Sequence, residues 1–336
     1  MTVNRQFVLM ARPRGMPVES DFALRDMPAP EPCEGEFLIR NHYASIDPAM
    51  RNWLDDVESY YPPVRIGDAM RAGTVGQVVA SRNAAFPVGA WVKGVNAIER
   101  YSVGRAGDAN RLIDPDLAGS MRDYISVVGG ASLTAYFGVH RILMPQAGET
   151  LLVSSAAGGV GAVACQLGRL AGARVIGIAG GVEKCRRLVD ELGIDHAIDH
   201  RGRDENDLAA EIRRVAPGGL DMVFENVGGD PLDAALRNLA KGARIALCGL
   251  ISEYNRPRRG ARNLMELVFA SATMRGFVML DYAEAIPDAT RALFAHARSG
   301  EIRFAEHVEE GIDRAFATLM MLFKGGNRGK LILKIA

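Results

Sequence analysis

The chain has 336 residues, 48% of them hydrophobic and 24% charged, with 40 basic side chains balanced by 40 acidic ones. That length accommodates two domains of about 100–200 residues each, and the absence of net charge gives no general attraction to nucleic acid or to an anionic membrane. No apolar run approaches the roughly 18 residues of a membrane span, and Arg5, Arg12 and Arg14 interrupt the segment where a secretory leader would be apolar. Cys33, Cys165, Cys185 and Cys248 are widely separated, a pattern expected of reduced thiols in a cytoplasmic protein.

Taken in order, the first 125 residues are rich in strand signals. "EFLIRNHYAS", "RAGTVGQVVAS" and "GAWVKGV" mix β-branched and aromatic residues between Pro and Gly breaks, which predicts a small antiparallel barrel or sandwich. From Ser132 the pattern changes. "SLTAYFGVHRIL" has helical spacing, with Ser132 placed to cap it. Strands "ETLLVSS", "RVIGIAG", "DHAID", "LDMVFENVG" and "ARIALCGLI" then alternate with helices "GAVACQLGRLAGA", "VEKCRRLVDELG", "ENDLAAEIRRVAP" and "DPLDAALRNLAKG". Such alternation predicts a doubly wound parallel sheet of the Rossmann type. "MRGFVML" reads as a further strand and "IPDATRALFAHARSG" as a helix. The tail "GKLILKI" is a strand without a partner in this α/β run, so it is assigned back to the first domain. The expected organisation is a first domain over 1–125, a dinucleotide-binding domain over 126–298, and a return to the first domain over 299–336.

"SSAAGGVGAV" (Ser154–Val163) follows a predicted strand and opens a helix, the context in which a glycine-rich loop holds a dinucleotide pyrophosphate. Gly158 allows close backbone approach and Gly161 allows the helix to pack on the strand. Ala156 stands where the tight-turn glycine usually stands, which is tolerable if its φ stays negative. About 20 residues on, an NAD-specific site carries an acid for the ribose 2′-hydroxyl. Here Ile178, Ala179, Gly180 and Gly181 occupy the stretch, followed by Lys184, and His200 and Arg201 end the next strand. Cations suit a 2′-phosphate, so NADP(H) is the expected cofactor, with Lys184 its main anchor.

The order of motifs resembles the medium-chain dehydrogenase/reductase superfamily, in its zinc-free branch of prostaglandin reductases, plant alkenal double-bond reductases and bacterial curcumin reductases. "SIDPAMR", "SYYPPVRIGDAMRAGTVG", "LTAYFG", "GIAGGVEKCR", "FENVGG", "CGLISEYN", "RGFVM" and "GGNRGKLIL" carry the resemblance across almost the whole chain. It implies a GroES-like barrel, built from both chain ends, around a central Rossmann domain. It also implies contacts to the cofactor from Ala157, Gly158, Gly159, Val160, Gly161, Lys184, His200, Asn226, Cys248, Gly249, Ile251, Phe277, Val278, Met279 and Asn327, with Thr134 and Met50 near the nicotinamide. Two positions depart from the branch: Ala49 and His200 stand where many relatives carry tyrosine.

The residues independently argue against a catalytic zinc. No C-x-x-C occurs, Ser45 stands where zinc-containing relatives have a cysteine ligand, and "MRAG" has no Gly-His-Glu. Hydride delivery to an electron-poor alkene needs no metal but needs a donor for the carbonyl oxygen on which charge develops. By the resemblance that donor is Tyr254, and Tyr60 lines the substrate cleft, with Tyr61 beside it able to exchange roles. Cys248 reads as a small buried hydrophobe rather than a nucleophile. The arginine run "YNRPRRGAR" reads either as a solvated loop or as an attractor for an anionic substrate. The expected activity is NADPH-dependent reduction of the C=C bond of an α,β-unsaturated aldehyde or ketone, by a homodimer pairing through "RGFVML". The alternatives are an NADPH quinone reductase and a non-catalytic NADP-binding redox sensor.

Overall fold

Alternation of inward apolar and outward polar residues shapes the first part of the chain. In a computed structural model that describes residues 2–105 and 107–335, seven strands form before the first α-helix: β1 (Val3–Leu9), β2 (Phe22–Pro28), β3 (Glu36–Ser45), β4 (Arg71–Ser81), β5 (Trp91–Ala97), β6 (Tyr101–Arg105) and β7 (Arg111–Leu112). The parallel run then follows with β8 (Thr150–Val153), β9 (Arg174–Ala179), β10 (His196–Asp199), β11 (Leu220–Glu225), β12 (Leu239–Leu247) and β13 (Thr273–Gly276). The chain ends with β14 (Glu306–Glu310) and β15 (Lys330–Lys334). The helices are α1 (Asp123–Ser126), α2 (Gly130–Phe137), α3 (Gly161–Leu170), α4 (Val182–Asp190), α5 (Glu205–Val215), α6 (Gly229–Leu236), α7 (Met265–Ala270), α8 (Ile286–Ser299) and α9 (Ala315–Phe323).

Two units form. One takes in the chain up to Gly129, then Glu306–Asn327 and the tail from Leu331; the other takes in Gly130–Ala305 and Arg328–Lys330. In the first unit, β1 pairs with β2, and a larger sheet has the order β14-β15-β3-β4-β5-β7, with β6 also on β3. The tail strand runs antiparallel to β3, with Ile332 opposite Ser45, as its apolar pattern without an α/β partner required. Its core gathers Phe7, Met50, Trp53, Leu54, Met70 and Leu333.

In the second unit the sheet order is β10-β9-β8-β11-β12-β13, all neighbours parallel. Renumbered within the unit this is 3-2-1-4-5-6, the Rossmann order, and the strand order reverses between β8 and β11. Ligands of such sheets bind outside the carboxyl ends of the strands at that reversal. The core lies between sheet and helices, around Leu152, Ile176, Ile212, Leu220, Val223 and Ile245.

Three local expectations are corrected. The helix expected to start at Ser132 starts at Gly130, and Ser132 lies buried in its interior, so it is not the cap. This helix continues as a π-helical turn over Gly138–Leu143 and stops at Met144 in left-handed conformation. The helix expected through Gly242 stops at Leu236, where the Asn238 amide donates to the carbonyls of Ala234 and Ala209 at 2.8 and 3.1 Å; "LAKG" joins β12. The strand expected over "MRGFVML" ends at Gly276, so Phe277, Val278 and Met279 lie beyond it. Among the described residues no helix is long and apolar enough to cross a membrane.

Candidate active site

The glycine loop leaves β8 at the sheet's reversal point. Its strained residue is Ser155, at φ 50°, and not Ala156. Ala156 is fully buried and its N–H donates to the Ile178 carbonyl at 2.9 Å. The alanine is accommodated because Gly177 on β9 opposes it: a Cβ on Gly177 would lie 2.8 Å from the Ala156 methyl. Gly158 and Gly161 are needed for space rather than for φ. A Cβ on Gly161 would lie 2.8 Å from the Ala156 Cα, and one on Gly158 would lie 3.2 Å from the Ser155 carbonyl. The loop thus keeps bare backbone at the start of α3, the arrangement that receives a pyrophosphate. Ala157, Gly159 and Val160 complete it, with the Ala157 carbonyl accepting from the Gly329 N–H at 3.3 Å.

At the end of β9 the site turns cationic. Gly180 has no side chain, and the space a Cβ would take is bounded by His200 Nε2 at 3.0 Å and Arg201 Nε at 3.3 Å. Asp199 ties this corner together by accepting from the Gly181 and Arg201 N–H groups at 2.7 and 3.0 Å. Burial lowers the Lys184 ammonium pKa, and repulsion from Arg201, Arg328 and Arg187 lowers it further. His200 is lowered first by burial, with Asp199 pulling the other way. A phosphate dianion placed against Lys184 and His200 would offset the repulsion they meet from the neighbouring arginines.

Two members escaped the sequence reading. Arg328 reaches the N-terminal turn of α4, paired with Glu183 at 2.8 Å. Lys330 is buried, and its Cδ lies 3.3 Å from where a Cβ on Gly159 would sit. Both belong to "GGNRGK", whose two cations flanking a glycine were the available signal. The same segment's Asn327 is nearly buried in the first unit's part of the chain.

Beyond β11 the "FENVGG" turn forms the other side of the reversal point. Asn226 donates through its N–H to Ser154 Oγ at 2.8 Å and through its amide to the Ser154 carbonyl at 2.7 Å, joining the ends of β8 and β11. Glu225, which sequence reading left unassigned, is wholly buried here. Cys248 follows β12, and burial with the nearby Glu225 carboxylate pushes its thiol up to about 12. A thiol so placed stays protonated at neutral pH and is no nucleophile. Ile251 N–H donates to the Asn226 carbonyl at 3.2 Å. Tyr254 Oη lies 2.9 Å from where a Cβ on Gly249 would sit, which places the phenol over the carboxyl end of β12. Phe277 is set edge-on to Phe224 at 6.2 Å, with Gly138 leaving room for both rings; Val278 and Met279 follow it, half-buried.

In the arginine run after Tyr254, Arg256 and Arg258 are exposed, whereas Arg259 and Arg262 are held by carboxylates. Arg259 pairs with Asp233 at 2.7 Å and Asp230 at 3.2 Å, while Arg262 pairs with both and with Glu205. Glu205, Asp230 and Asp233 are also the one group of carboxylates among the described residues close enough to hold a cation. Their oxygens already serve these guanidinium groups, and hard carboxylates alone do not make a zinc site.

In the first unit, Tyr61 packs edge-on against Trp53 at 5.6 Å beneath the Arg71 guanidinium. Tyr60 beside it is 45% exposed. Ser45 donates its hydroxyl to Asp47. Met50 is only 1% exposed and belongs to this unit's core. Thr134 donates to the Gly130 carbonyl within α2 at 2.8 Å.

Comparison with known proteins agrees with this geometry. Residues 5–112 match the family described as the N-terminal domain of oxidoreductase, and residues 159–295 match that described as zinc-binding dehydrogenase. The chain is 37% identical to the NADPH-dependent curcumin reductase of Escherichia coli (strain K12), covering 99% of this chain and 97% of that one. It is 33% identical to the 2-alkenal reductase (NADP(+)-dependent) of Nicotiana tabacum, covering 99% and 98%. The crystal structure of CurA in complex with NADPH from Vibrio vulnificus superposes with a TM-score of 0.93 at 37% identity, over 99% of both chains. The chain belongs to the medium-chain dehydrogenase/reductase family, in its zinc-independent branch of curcumin and alkenal reductases.

Proposed function

We propose that the protein reduces the carbon–carbon double bond of α,β-unsaturated aldehydes and ketones at the expense of NADPH. The observation that carries this reading is the pairing of two features. An NADP-type cradle, with bare backbone at Gly158 and Gly161 and the Lys184 cluster at the end of β9, belongs to a chain more than 30% identical along its length to curcumin and alkenal reductases.

NADP(H) is the cofactor, and when bound it supplies the hydride. The loop Ala157–Gly161 holds its pyrophosphate, Lys184 and His200 its 2′-phosphate, and Asn226, Cys248, Gly249 and Ile251 its ribose. Phe277, Val278, Met279 and Asn327 hold the nicotinamide end. Tyr254 supports the substrate: its phenol donates directly or through a ribose hydroxyl to the carbonyl oxygen as that oxygen gains charge. A donor fixed in place beforehand lowers the barrier because it need not reorganise during the step. Tyr60 lines the substrate cleft, and water protonates the α-carbon. The protein is a homodimer: β13 ends its sheet, and α7, packed beside β12, exposes Met265, Val268 and Phe269.

The test is NADPH oxidation with 2-nonenal, and separately with a benzoquinone, with product analysis. Conversion of the enal to the saturated aldehyde is expected. Tight NADPH binding without turnover of any enone would overturn the reading, and turnover of the quinone alone would replace it with quinone reduction.

A further inference from the structure

Glu225 is a buried acid that the mechanism above does not use. It ends β11, the central strand at the reversal point, and its side chain is wholly shielded from solvent. One carboxylate oxygen, Oε1, accepts from the N–H groups of Val227 and Gly228 at 2.5 and 2.7 Å. The other, Oε2, has no hydrogen-bond partner among the described residues. Ser154 faces the carboxylate from the end of β8, and the Cys248 thiol faces it from the end of β12. Beyond Gly249 stands the Tyr254 phenol. The groups that hold the carboxylate are neutral dipoles of the backbone and of Ser154.

A buried carboxylate without a cation is costly. What it obtains here is a fixed turn, and that turn carries a second segment. The Val227 carbonyl accepts from Ser252 through both its N–H, at 3.0 Å, and its hydroxyl, at 2.6 Å. The Asn226 carbonyl accepts from Ile251, and the Glu225 carbonyl accepts from Cys248 and Gly249 at 2.9 and 3.2 Å. These hydrogen bonds tie the turn after Glu225 to the segment that bears Tyr254.

We propose that Glu225 is a positioning residue: its ionised carboxylate locks the Asn226–Gly228 turn, and through that turn it sets the Cys248–Tyr254 segment for the cofactor. This rests on reading both segments as part of the cofactor cradle. Hydrogen bonds to a charged acceptor are about twice as strong as those to a neutral one, so protonation loosens the turn without removing any atom. Burial raises the carboxyl to about 7, which brings that change into the neutral range.

The test is binding of NADPH, followed by its fluorescence, to wild type, Glu225→Gln and Glu225→Asp from pH 5.5 to 8.5, with the melting temperature measured alongside. Protonation of His200 and of the cofactor's 2′-phosphate contributes alike to all three, so the difference between proteins is the readout. Wild type is expected to bind about tenfold more tightly at the alkaline end relative to Glu225→Gln, with the two converging in acid. Glu225→Asp keeps a pH step, and Glu225→Gln melts no lower than wild type at pH 8.5 because it buries no charge. Wild-type affinity in Glu225→Gln at every pH overturns the proposal. So does weakened binding accompanied by a lowered melting temperature at every pH, which marks a merely structural role. A wild type that binds no NADPH at any pH overturns the functional reading itself, and this inference with it.

Discussion

Ala156 and Gly177 share one small space between neighbouring strands, such that a Cβ on Gly177 would come within 2.8 Å of the Ala156 methyl. The alanine at the head of the glycine loop and the glycine on β9 are two halves of one packing solution. Gly177 is fixed within β9 and the Ala156 N–H is tied to the Ile178 carbonyl, so neither backbone gives readily. Gly177→Ala is expected to destabilise the fold by about 1–3 kcal/mol through overpacking, read as a lower urea midpoint at unchanged slope.

Lys184 and Arg328 stand in mutual repulsion at the end of β9, and Arg328 is steadied by Glu183 at 2.8 Å. Lys184→Ala is expected to weaken NADPH binding about ten- to a hundredfold, as loss of a charged hydrogen bond does, while leaving NADH binding unchanged. Arg328→Leu should move the same ratio in the same direction by less, because its guanidinium is shared with Glu183. Isothermal titration with both cofactors checks this, and equal losses for NADH would remove the 2′-phosphate assignment.

Tyr254→Phe keeps the ring that packs beside Gly249 and deletes only the hydroxyl. A fixed donor to developing charge is worth about a hundredfold or more in kcat. NADPH affinity should stay within about twofold, since the cradle's own hydrogen bonds are backbone and Asn226. Steady-state kinetics together with direct binding separates the two; an unchanged kcat would sink the role given to the phenol.

Asp233 is fully buried and accepts from Arg259, from the Arg262 side chain and from the Arg262 N–H at 2.7 Å. It anchors the loop that follows Tyr254. The arginines are half exposed and water can replace part of what they lose, so Asp233→Ala is expected to cost about 1–3 kcal/mol rather than more. Limited proteolysis should show faster cleavage between Tyr254 and Arg262 before the rest of the domain is attacked.

His42 is partly buried against Trp91, its Nε2 has no hydrogen-bond partner among the described residues, and burial lowers its pKa with help from Arg40. The unfolded chain therefore takes up a proton at higher pH than the folded one. Its share of stability is complete above the unfolded value near 6.5 and is lost as pH falls through the lower folded value. His42→Phe should flatten the decline in melting temperature between pH 6.5 and 5.

The Rossmann half was legible because strands and helices alternate at their own periods, and each βα unit is largely a local decision of hydrophobic spacing. The boundaries were less so. Ser132 reads as a cap until the helix is seen to begin two residues earlier, and "LAKG" reads as helix until the Asn238 amide takes the Ala234 carbonyl at the end of α6. For the cofactor, the glycine loop and the missing acid after β9 follow from residue type and local order, whereas the role given to Tyr254 comes from the resemblance of "CGLISEYN" to the family.

The parallel sheet and the return of the tail to the first sheet were written in residue order and hydrophobic period. Only the tertiary structure decided which distant residues join the loop. Gly329 pairs with Gly158 from far along the chain and brings Arg328 and Lys330 with it. Of the arginines after Tyr254, Arg259 and Arg262 are committed to Asp233, Asp230 and Glu205. Glu225 becomes a buried acid only because the ends of β8, β11 and β12 close around it. Local order is written in side-chain period, whereas long-range pairing depends on how whole elements stack, which no short stretch of residues can encode.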